Sequence, residues 1–456
     1  MNVRSCPVVH DHAALPPGPR LPVFVQTWLL RTATQRFLRW CRGRYGSMFT
    51  VRDALGGYHV FLSDPDDIRA VFAGDSAVLR AGEANGVLGP ILGPRSVLLL
   101  DGPQHRERRR LMLPAFHGEQ VRRQEALIRE VVVEQLAGWP VGRPLRAYER
   151  SRDIALEIIL RVVLGVARPE RIARLRAVLP KVVDLTPADL LMITFPRLTG
   201  VGRWRRYWEH KAAVDAMLDE EIALRRHDPL LAERDDVLSR LVVAYLQADD
   251  RTDDGDLRDQ LITLLLAGHE TTATALAWSL ELLARNPRSQ EKLAHSVLAG
   301  SPDGAGSPDG GYAGAVVTEA LRLRPVIGFV GRRLSEPVLV GSQHVRARAV
   351  LCPAISLVHE DGAQHPRPHE FRPERWLGTG GGQQGMVLPF GGGVRRCLGA
   401  PFAVAELRVA LEEIVRRYQV RPVGRRPERV KMRHITSVPS RGARIVLAPR
   451  APAAPG

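Results

Sequence analysis

Lysine is nearly absent from this chain: only Lys181, Lys211, Lys292 and Lys431 occur in 456 residues, and the other 61 cations are arginine. The formal net charge is +16. Ala, Gly, Arg and Pro are all abundant, so the excess reads either as a compositional bias spread over solvated helix faces or as a surface for an anionic partner. No lysine-rich tail, zinc-finger, basic-zipper or RNA-binding signature accompanies it, which excludes nucleic acid as the expected partner. Cysteine is scarce too. Cys6, Cys41, Cys352 and Cys397 form no CxxC and no CxxCH, so covalent haem attachment through that motif and a disulfide scaffold are both excluded, and a reducing cytoplasm fits. The first twenty residues contain no apolar core of a secretory signal. Val23 to Cys41 is interrupted by Arg31, Arg36 and Arg39, and no run of eighteen apolar residues occurs, so no transmembrane anchor is expected.

What is present is enough apolar material to fold. Hydrophobic residues make up 45%, which rules out a disordered chain, and the length leaves room for an enclosed pocket. Residues 1–22 read as a stiff segment punctuated by Pro16, Pro17, Pro19 and Pro22, residues 23–450 as one domain, and 451–456 as a tail. A helix is expected over Trp28–Tyr45, then strands over Met48–Arg52 and Tyr58–Leu62, a short helix capped by Asp64 with Pro65 in its first turn, and a loop over 80–100. Helical periodicity dominates from about 103 to 300, with helices at 103–114, 119–138, 147–164, 170–182, 203–226, 231–248 and 256–286. The last would be about 46 Å long and apolar all round in its middle, hence a buried central helix. A duplicated loop at 301–310, a helix at 312–323, strands at 327–333, 337–340 and 344–351, a glycine-rich loop at 378–385, a helix at 401–418 and a hairpin of 430–436 with 443–448 complete the pattern. The fold class is mainly α with a smaller β-rich lobe.

Four clusters carry chemistry. In Phe390-Gly391-Gly392-Gly393-Val394-Arg395-Arg396-Cys397-Leu398-Gly399, glycines allow close approach to a flat ligand, and the following helix start favours thiolate, a soft ligand for iron. In Ala267-Gly268-His269-Glu270-Thr271-Thr272, an acid and an alcohol sit mid-helix where burial is costly. Either the helix bends there to admit a small molecule, or Thr271 bonds back to the helix and Glu270 enters a salt bridge. Glu319 and Arg322, at i, i+3, can close a buried network with Arg375. His105 and Arg109, at i, i+4, can clamp an anion or lie on a solvated face.

Taken together, HxxxR (105–109), AGxET (267–271), ExxR (319–322) with PERW (373–376), and FGGGxRxCxG (390–399) resemble the cytochrome P-450 family of haem-thiolate monooxygenases, from about Leu15 to Leu447. The resemblance implies that family's fold, with a long central helix over haem b held non-covalently. It implies Cys397 as the axial ligand of the metal, and His105, Arg109, Arg332 and Arg395 as contacts to the haem propionates, Arg333 standing next to Arg332. Glu270 and Thr271 become the catalytic pair that relays protons for dioxygen, and Glu319, Arg322 and Arg375 a structural triad. It implies oxygen insertion into a lipophilic molecule near 80–100, 185–200, Ala267, Val326–Phe329 and Val438. Electrons would come from a separate donor, ferredoxin with its reductase or a flavodoxin type, docking near Cys397 and the 103–114 helix, and the protein is expected to be a cytoplasmic monomer. A peroxide-driven or rearranging enzyme, and a non-enzymatic haem carrier, are the alternatives; the intact Glu270–Thr271 pair favours the first reading.

Overall fold

The computed structural model describes residues 4–5, 15–54, 56–165, 168–183, 202–248, 254–299, 311–377 and 385–450. The duplicated loop, nearly all of the glycine-rich 378–385 stretch, most of the opening segment with Cys6, the tail after residue 450 and the expected substrate stretch at 185–200 lie outside them. The chain divides into two compact units: Met1–Leu111 with Ile327–Pro368 and Gly385–Cys397, and Met112–Val326 with His369–Gln384 and Leu398–Gly456.

The first unit is built on a five-stranded sheet in the order Met48–Asp53, Gly57–Leu62, Val350–Pro353, Arg332–Leu334, Leu79–Arg80. The first two strands pair antiparallel as expected, with Phe49 opposite Phe61; the second and third pair parallel, with Phe61 opposite Cys352. Alternation along the strands divides the core in two. Val60, Leu62 and Leu351 pack with Ile68, Val71 and Leu334 on one face. Phe49, Val51, Phe61, Val350 and Cys352 pack with Leu30, Phe37, Leu38 and Cys41 on the other.

The single helix expected over Trp28–Tyr45 is two helices, Val23–Thr32 and Thr34–Tyr45. Thr32 and Thr34 each donate their hydroxyl to the carbonyl four residues back, a bond that competes with regular helix, and Ala33 between them leaves helical geometry at φ −134°. The 80–100 stretch is not a plain loop either. It holds the short helical turns Ala81–Ala84, Gly86–Leu88 and Gly89–Leu92. The first is capped from far along the chain: Asp101 accepts from the backbone N–H of Gly82 and Glu83, both at 2.9 Å. Pro65 begins a helix over Pro65–Ala73 whose N–H groups at Asp66 and Asp67 are accepted by Asp64, as its sequence predicts.

The second unit is helical, around Asp254–Arg285. Ala147–Ile158 packs along this helix and ends in a widened π turn, Ile159–Val163. Gly118–Ala137 packs on Ala400–Arg417. Pro169–Val183, Gly202–Arg226 and Gly311–Leu323 match expectation within a few residues. The expected 231–248 helix is broken by the Asp236 cap, which accepts from Ser239 N–H at 2.8 Å and starts the helix anew as Val237–Gln247. A further helix, Pro287–Leu298, follows the central one. The expected hairpin of 430–436 with 443–448 does not form. Val430–Arg433 turns through His434, at φ 55°, and pairs with Thr436–Pro439. Arg444–Pro449 instead lies between Tyr418–Pro422 and Pro144–Arg146. The strands expected at 327–333 and 344–351 shorten to Arg332–Leu334 and split into Gln343–Val345 and Val350–Pro353.

Glu406, on the Ala400–Arg417 helix, is 4% exposed, and burial alone pushes its carboxyl up to about 8. An ordinary carboxyl ionises in the unfolded chain above about pH 4.5, so the folded state, which keeps the proton, loses stability as pH rises through the window from 4.5 to 8. The loss is about 1.4 kcal/mol per pH unit at most. Glu406→Gln removes that slope: in urea titrations its stability relative to the parent should climb with pH across this window. A constant difference would show that Glu406 is ionised in the folded protein.

Candidate functional site

The site residues expected from the sequence fall into two sets, one in each unit. In the first unit, Cys397 ends the loop that begins at Phe390. The loop is fixed by its own backbone: Gly391 N–H donates to Leu388, Arg396 N–H to Gly393 and Cys397 N–H to Phe390, each at 3.0 Å. Gly393, at φ 64°, lies so close to Phe72 that a Cβ would fall 1.9 Å from its carbonyl oxygen, and a Cβ on Gly392 would meet the Phe72 ring. These two glycines thus seat the loop on the Pro65–Ala73 helix. Cys397 itself is exposed, whereas Cys41 and Cys352 are buried. The next helix starts three residues on, at Ala400.

His105 and Arg109 share the Gly102–Met112 helix, and His105 is 2% exposed. Arg332 and Arg395 join them electrostatically. Burial, then Arg395 and Arg109, press His105 down to about 4, against the pull of Asp101. Burial and Arg395 lower Arg332 to about 10. Arg109 is lowered by burial, raised by nearby Cys397 and lowered by Arg396. Arg395 donates to the carbonyls of Val97 and Leu100 and pairs with Asp101. Arg332 donates to Gly331 O at 2.8 Å and stacks 5.7 Å over Phe72. Its neighbour Arg333 points elsewhere, toward Glu83 at 3.7 Å and Arg348 O at 3.1 Å, as alternation along a strand requires. The cluster therefore gathers His105, Arg332 and Arg395 around one carboxylate, Asp101, whose part was not legible in advance, with Arg109 near Cys397.

Two buried atoms of this cluster, His105 Nδ1 and Arg395 Nε, have no hydrogen-bond partner among the described residues. Buried polar atoms of this kind are costly unless a ligand completes them. A surplus of cations with open donor positions, beside an accessible thiol, fits a planar iron-binding group that carries carboxylates.

In the second unit, Glu270 and Thr271 lie midway along Asp254–Arg285. The helix is unbroken α there, without a widened turn; the widened turn belongs to Ile159–Val163, whose Ile159 side chain faces Gly268. The covered faces give way at this point. From Thr272 to Ala284 every residue is buried, while Ala267 is exposed and Leu264, Gly268, Glu270 and Thr271 are partly so. Thr271 donates its hydroxyl to Ala267 O. Glu270 accepts from Tyr148 Oη and stands 3.7 Å from Arg152 Nε and 3.8 Å from Arg433 Nε. Arg433 also donates to Tyr148 Oη at 3.1 Å, and both arginines lie about 6 Å over the Tyr148 ring. Burial and Glu270 push the Tyr148 hydroxyl up, so it stays a donor. Of the two readings open in the sequence, the back-bond and the salt bridge are the ones formed.

The expected triad is assembled and larger than expected. Glu319, fully buried, accepts from Arg322 Nε and Nη2 at 2.9 Å, Arg372 N–H at 2.9 Å, Arg375 Nε at 3.0 Å and Trp376 Nε1 at 3.0 Å. Of the apolar residues expected near substrate, Ile91 and Leu92 are core, whereas Val87 is exposed and Leu88 partly so. Val326 and Val438 are buried, and Phe329 packs edge-on against Phe61 at 5.1 Å.

The cytochrome P450 family profile matches residues 15–446. The protein named cytochrome P450 135B1 of Mycobacterium tuberculosis is 46% identical over 432 residues, 94% of this chain and 91% of its own. Cytochrome P450 135A1 of the same species is 38% identical over 438 residues, 96% of each chain. Among solved structures, the retinoic acid-bound cyanobacterial CYP120A1 superposes with a TM-score of 0.80 over 96% of this chain and all of that one, at 22% identity. The haem domain of cytochrome P450DA gives 0.79 over 96% and 99%, also at 22%. The family match defines the class, a haem-thiolate oxidoreductase. The chain belongs to the cytochrome P450 family, whose members are monooxygenases that use dioxygen, take electrons from redox partners and generally bind lipophilic substrates. Among the described residues no helix is long and apolar enough to cross a membrane.

Proposed function

We propose that the chain inserts one oxygen atom of dioxygen into a C–H bond or double bond of a lipophilic organic molecule, with electrons from a separate donor, as a monomer in the cytoplasm. The observation that carries this reading is the acid–alcohol pair Glu270–Thr271, placed where an otherwise buried helix becomes accessible. A carrier or a rearranging enzyme has no use for that pair.

Haem b would be held by the Cys397 thiolate, with His105, Arg109, Arg332 and Arg395 meeting its carboxylates. When bound, it would supply iron for dioxygen activation. The remaining work falls to side chains. His105, held neutral, offers an N–H donor, and the arginines neutralise anionic edges without themselves giving up protons. Tyr148, Arg152 and Arg433 hold Glu270 in place, and Thr271 Oγ1 keeps its proton on the Ala267 carbonyl until a better acceptor arrives. Release of that back-bond lets Thr271 donate, and Glu270, a carboxylate, takes up a proton from solvent water and returns it to Thr271 through water.

Thr271→Ala tests this assignment. Product formed per reductant consumed should fall by about tenfold or more, within the roughly hundredfold or greater contribution of a positioned proton donor, with the reductant diverted to peroxide or water. Unchanged coupling would remove Thr271 from the relay. The donor is proposed to be an acidic ferredoxin with its reductase, or a flavodoxin, docking on exposed arginines such as Arg106, Arg110 and Arg396. Its association should then weaken as salt rises.

A further inference from the structure

Every strongly exposed phenylalanine or tryptophan among the described residues falls on the two N-terminal helices: Phe24 is 71% exposed, Trp28 62% and Trp40 50%. On Val23–Thr32, Phe24, Trp28, Arg31 and Thr32 recur at i, i+4, i+7 and i+8, one stripe of the helix. Gln26 and Leu30 occupy the opposite side, buried, where Gln26 accepts from Arg52 N–H at 2.8 Å and anchors the helix to the sheet. On Thr34–Tyr45 the outward stripe is Arg36, Arg39, Trp40, Gly43 and Arg44, while Phe37, Leu38 and Cys41 enter the core. Between Leu15 and Tyr45 there are six arginines and no acidic residue at all. Arg31, Arg39 and Arg42 find carboxylates elsewhere in the unit, on Asp53, Glu360 and Asp361. Arg20, Arg36 and Arg44 have no ion pair among the described residues.

Large aromatic rings left in water are unfavourable, and a solvated face has no reason to collect them. Aromatic rings interleaved with arginine, without counter-charge, are the pattern of a helix lying in the interface of a bilayer, where rings settle at headgroup depth and arginines meet lipid phosphate. We propose that the outward faces of Val23–Thr32 and Thr34–Tyr45 form a peripheral seat for an anionic lipid surface, contacted by Phe24, Trp28 and Trp40 and neutralised by Arg20, Arg36 and Arg44. Charge selects this occupant over a neutral one, because Arg20, Arg36 and Arg44, which have no ion pair among the described residues, would be repelled by a basic partner and gain little from an uncharged bilayer. The seat is independent of the reaction, since none of these residues belongs to the catalytic or haem-facing sets.

The test is co-sedimentation of the full-length, haem-loaded protein with vesicles of phosphatidylcholine alone and of phosphatidylcholine with equimolar phosphatidylglycerol. The protein should partition to the anionic vesicles and release as salt rises. Phe24→Ser/Trp28→Ser should weaken partitioning by about tenfold or more. Arg36→Gln and Arg44→Gln should each cost about fivefold and leave folding untouched, which keeps the test decisive if the aromatic pair disturbs the helix. Equal binding to both vesicle types, no binding to either, or variants that bind like the parent overturns the proposal. A lipid-free dimer that Phe24→Ser/Trp28→Ser converts to monomer also overturns it, and gives the face to a second copy of the chain.

Discussion

Cys397→Ala should abolish the red-shifted Soret band of the reduced, carbon monoxide-treated protein, while Cys41→Ala and Cys352→Ala leave it unchanged. Only a thiolate gives that shift, and the environments of the three described cysteines differ enough to assign it. Cys41 is fully buried, and desolvation pushes its thiol up to about 12. Cys352 is equally buried, its thiol raised further, its Sγ 3.6 Å from the Val350 carbonyl. Both remain neutral thiols packed as small apolar side chains in the core around Phe49 and Phe61. Cys397 alone among them is exposed, on a loop pinned by three backbone hydrogen bonds, with the Arg109 guanidinium near enough to respond to its charge. The effect on the spectrum is all or none. A variant that keeps haem should show an unshifted band, and one that fails to keep it shows how far the thiolate contributes to binding. A red-shifted band surviving in haem-loaded Cys397→Ala would place the axial ligand elsewhere.

The parts of this site that could be read from sequence are those whose meaning is local. The cysteine loop is ten consecutive residues, and His105 with Arg109 needs only the helical period to be seen as one face. Pro65 behind Asp64 announces a helix start by its own chemistry. The same signal at Asn286-Pro287 marked the Pro287–Leu298 helix, and periodicity reasoning passed over it. Other features depend on partners far along the chain. Tyr148, Arg152 and Arg433 reach Glu270 from 122, 118 and 163 positions away, and no spacing rule links them. No local pattern singles out Asp101, yet it caps Ala81–Ala84 and pairs with Arg395. Strand partners were missed for the same reason. The apolar alternation of Arg444–Pro449 shows that it is a strand, and only the fold decides that Pro144–Arg146 and Tyr418–Pro422, not Val430–Arg433, pair with it. At Gly268 the local propensity for a widened turn is not expressed: the helix stays α, and a Cβ there would stand in ordinary contact with the Ile159 side chain, at 3.7 Å.

Glu319→Gln should destabilise the protein by about 3–5 kcal/mol, the cost of stripping one partner from a buried ion pair. The substitution keeps the size of the side chain and one acceptor oxygen, so the loss is electrostatic. Arg322 is as fully buried as Glu319 and would be left without its counter-charge, and the new amide would face Arg372 N–H, Arg375 and Trp376 with donors against donors. Because the five donors come from Gly311–Leu323 and from Arg372–Trp376, the carboxylate ties two segments that lie some fifty residues apart in the chain. The control lies in the same segment: Lys292 pairs with Glu374 at 2.7 Å, but the two side chains are 58% and 38% exposed. Lys292→Ala should change stability by less than about 1 kcal/mol, as solvent-screened pairs do. Urea unfolding followed by far-UV circular dichroism reads both, and recovery of soluble, haem-loaded protein reads Glu319→Gln if it falls below the threshold for purification. Glu319→Leu/Arg322→Leu should cost less than the sum of its single changes, because removing both charges leaves neither stranded, whereas Arg375 and Trp376 still lose their acceptor. Strict additivity, or a Glu319→Gln protein as stable as the Lys292→Ala control, would mean that packing rather than this carboxylate locks the two segments together.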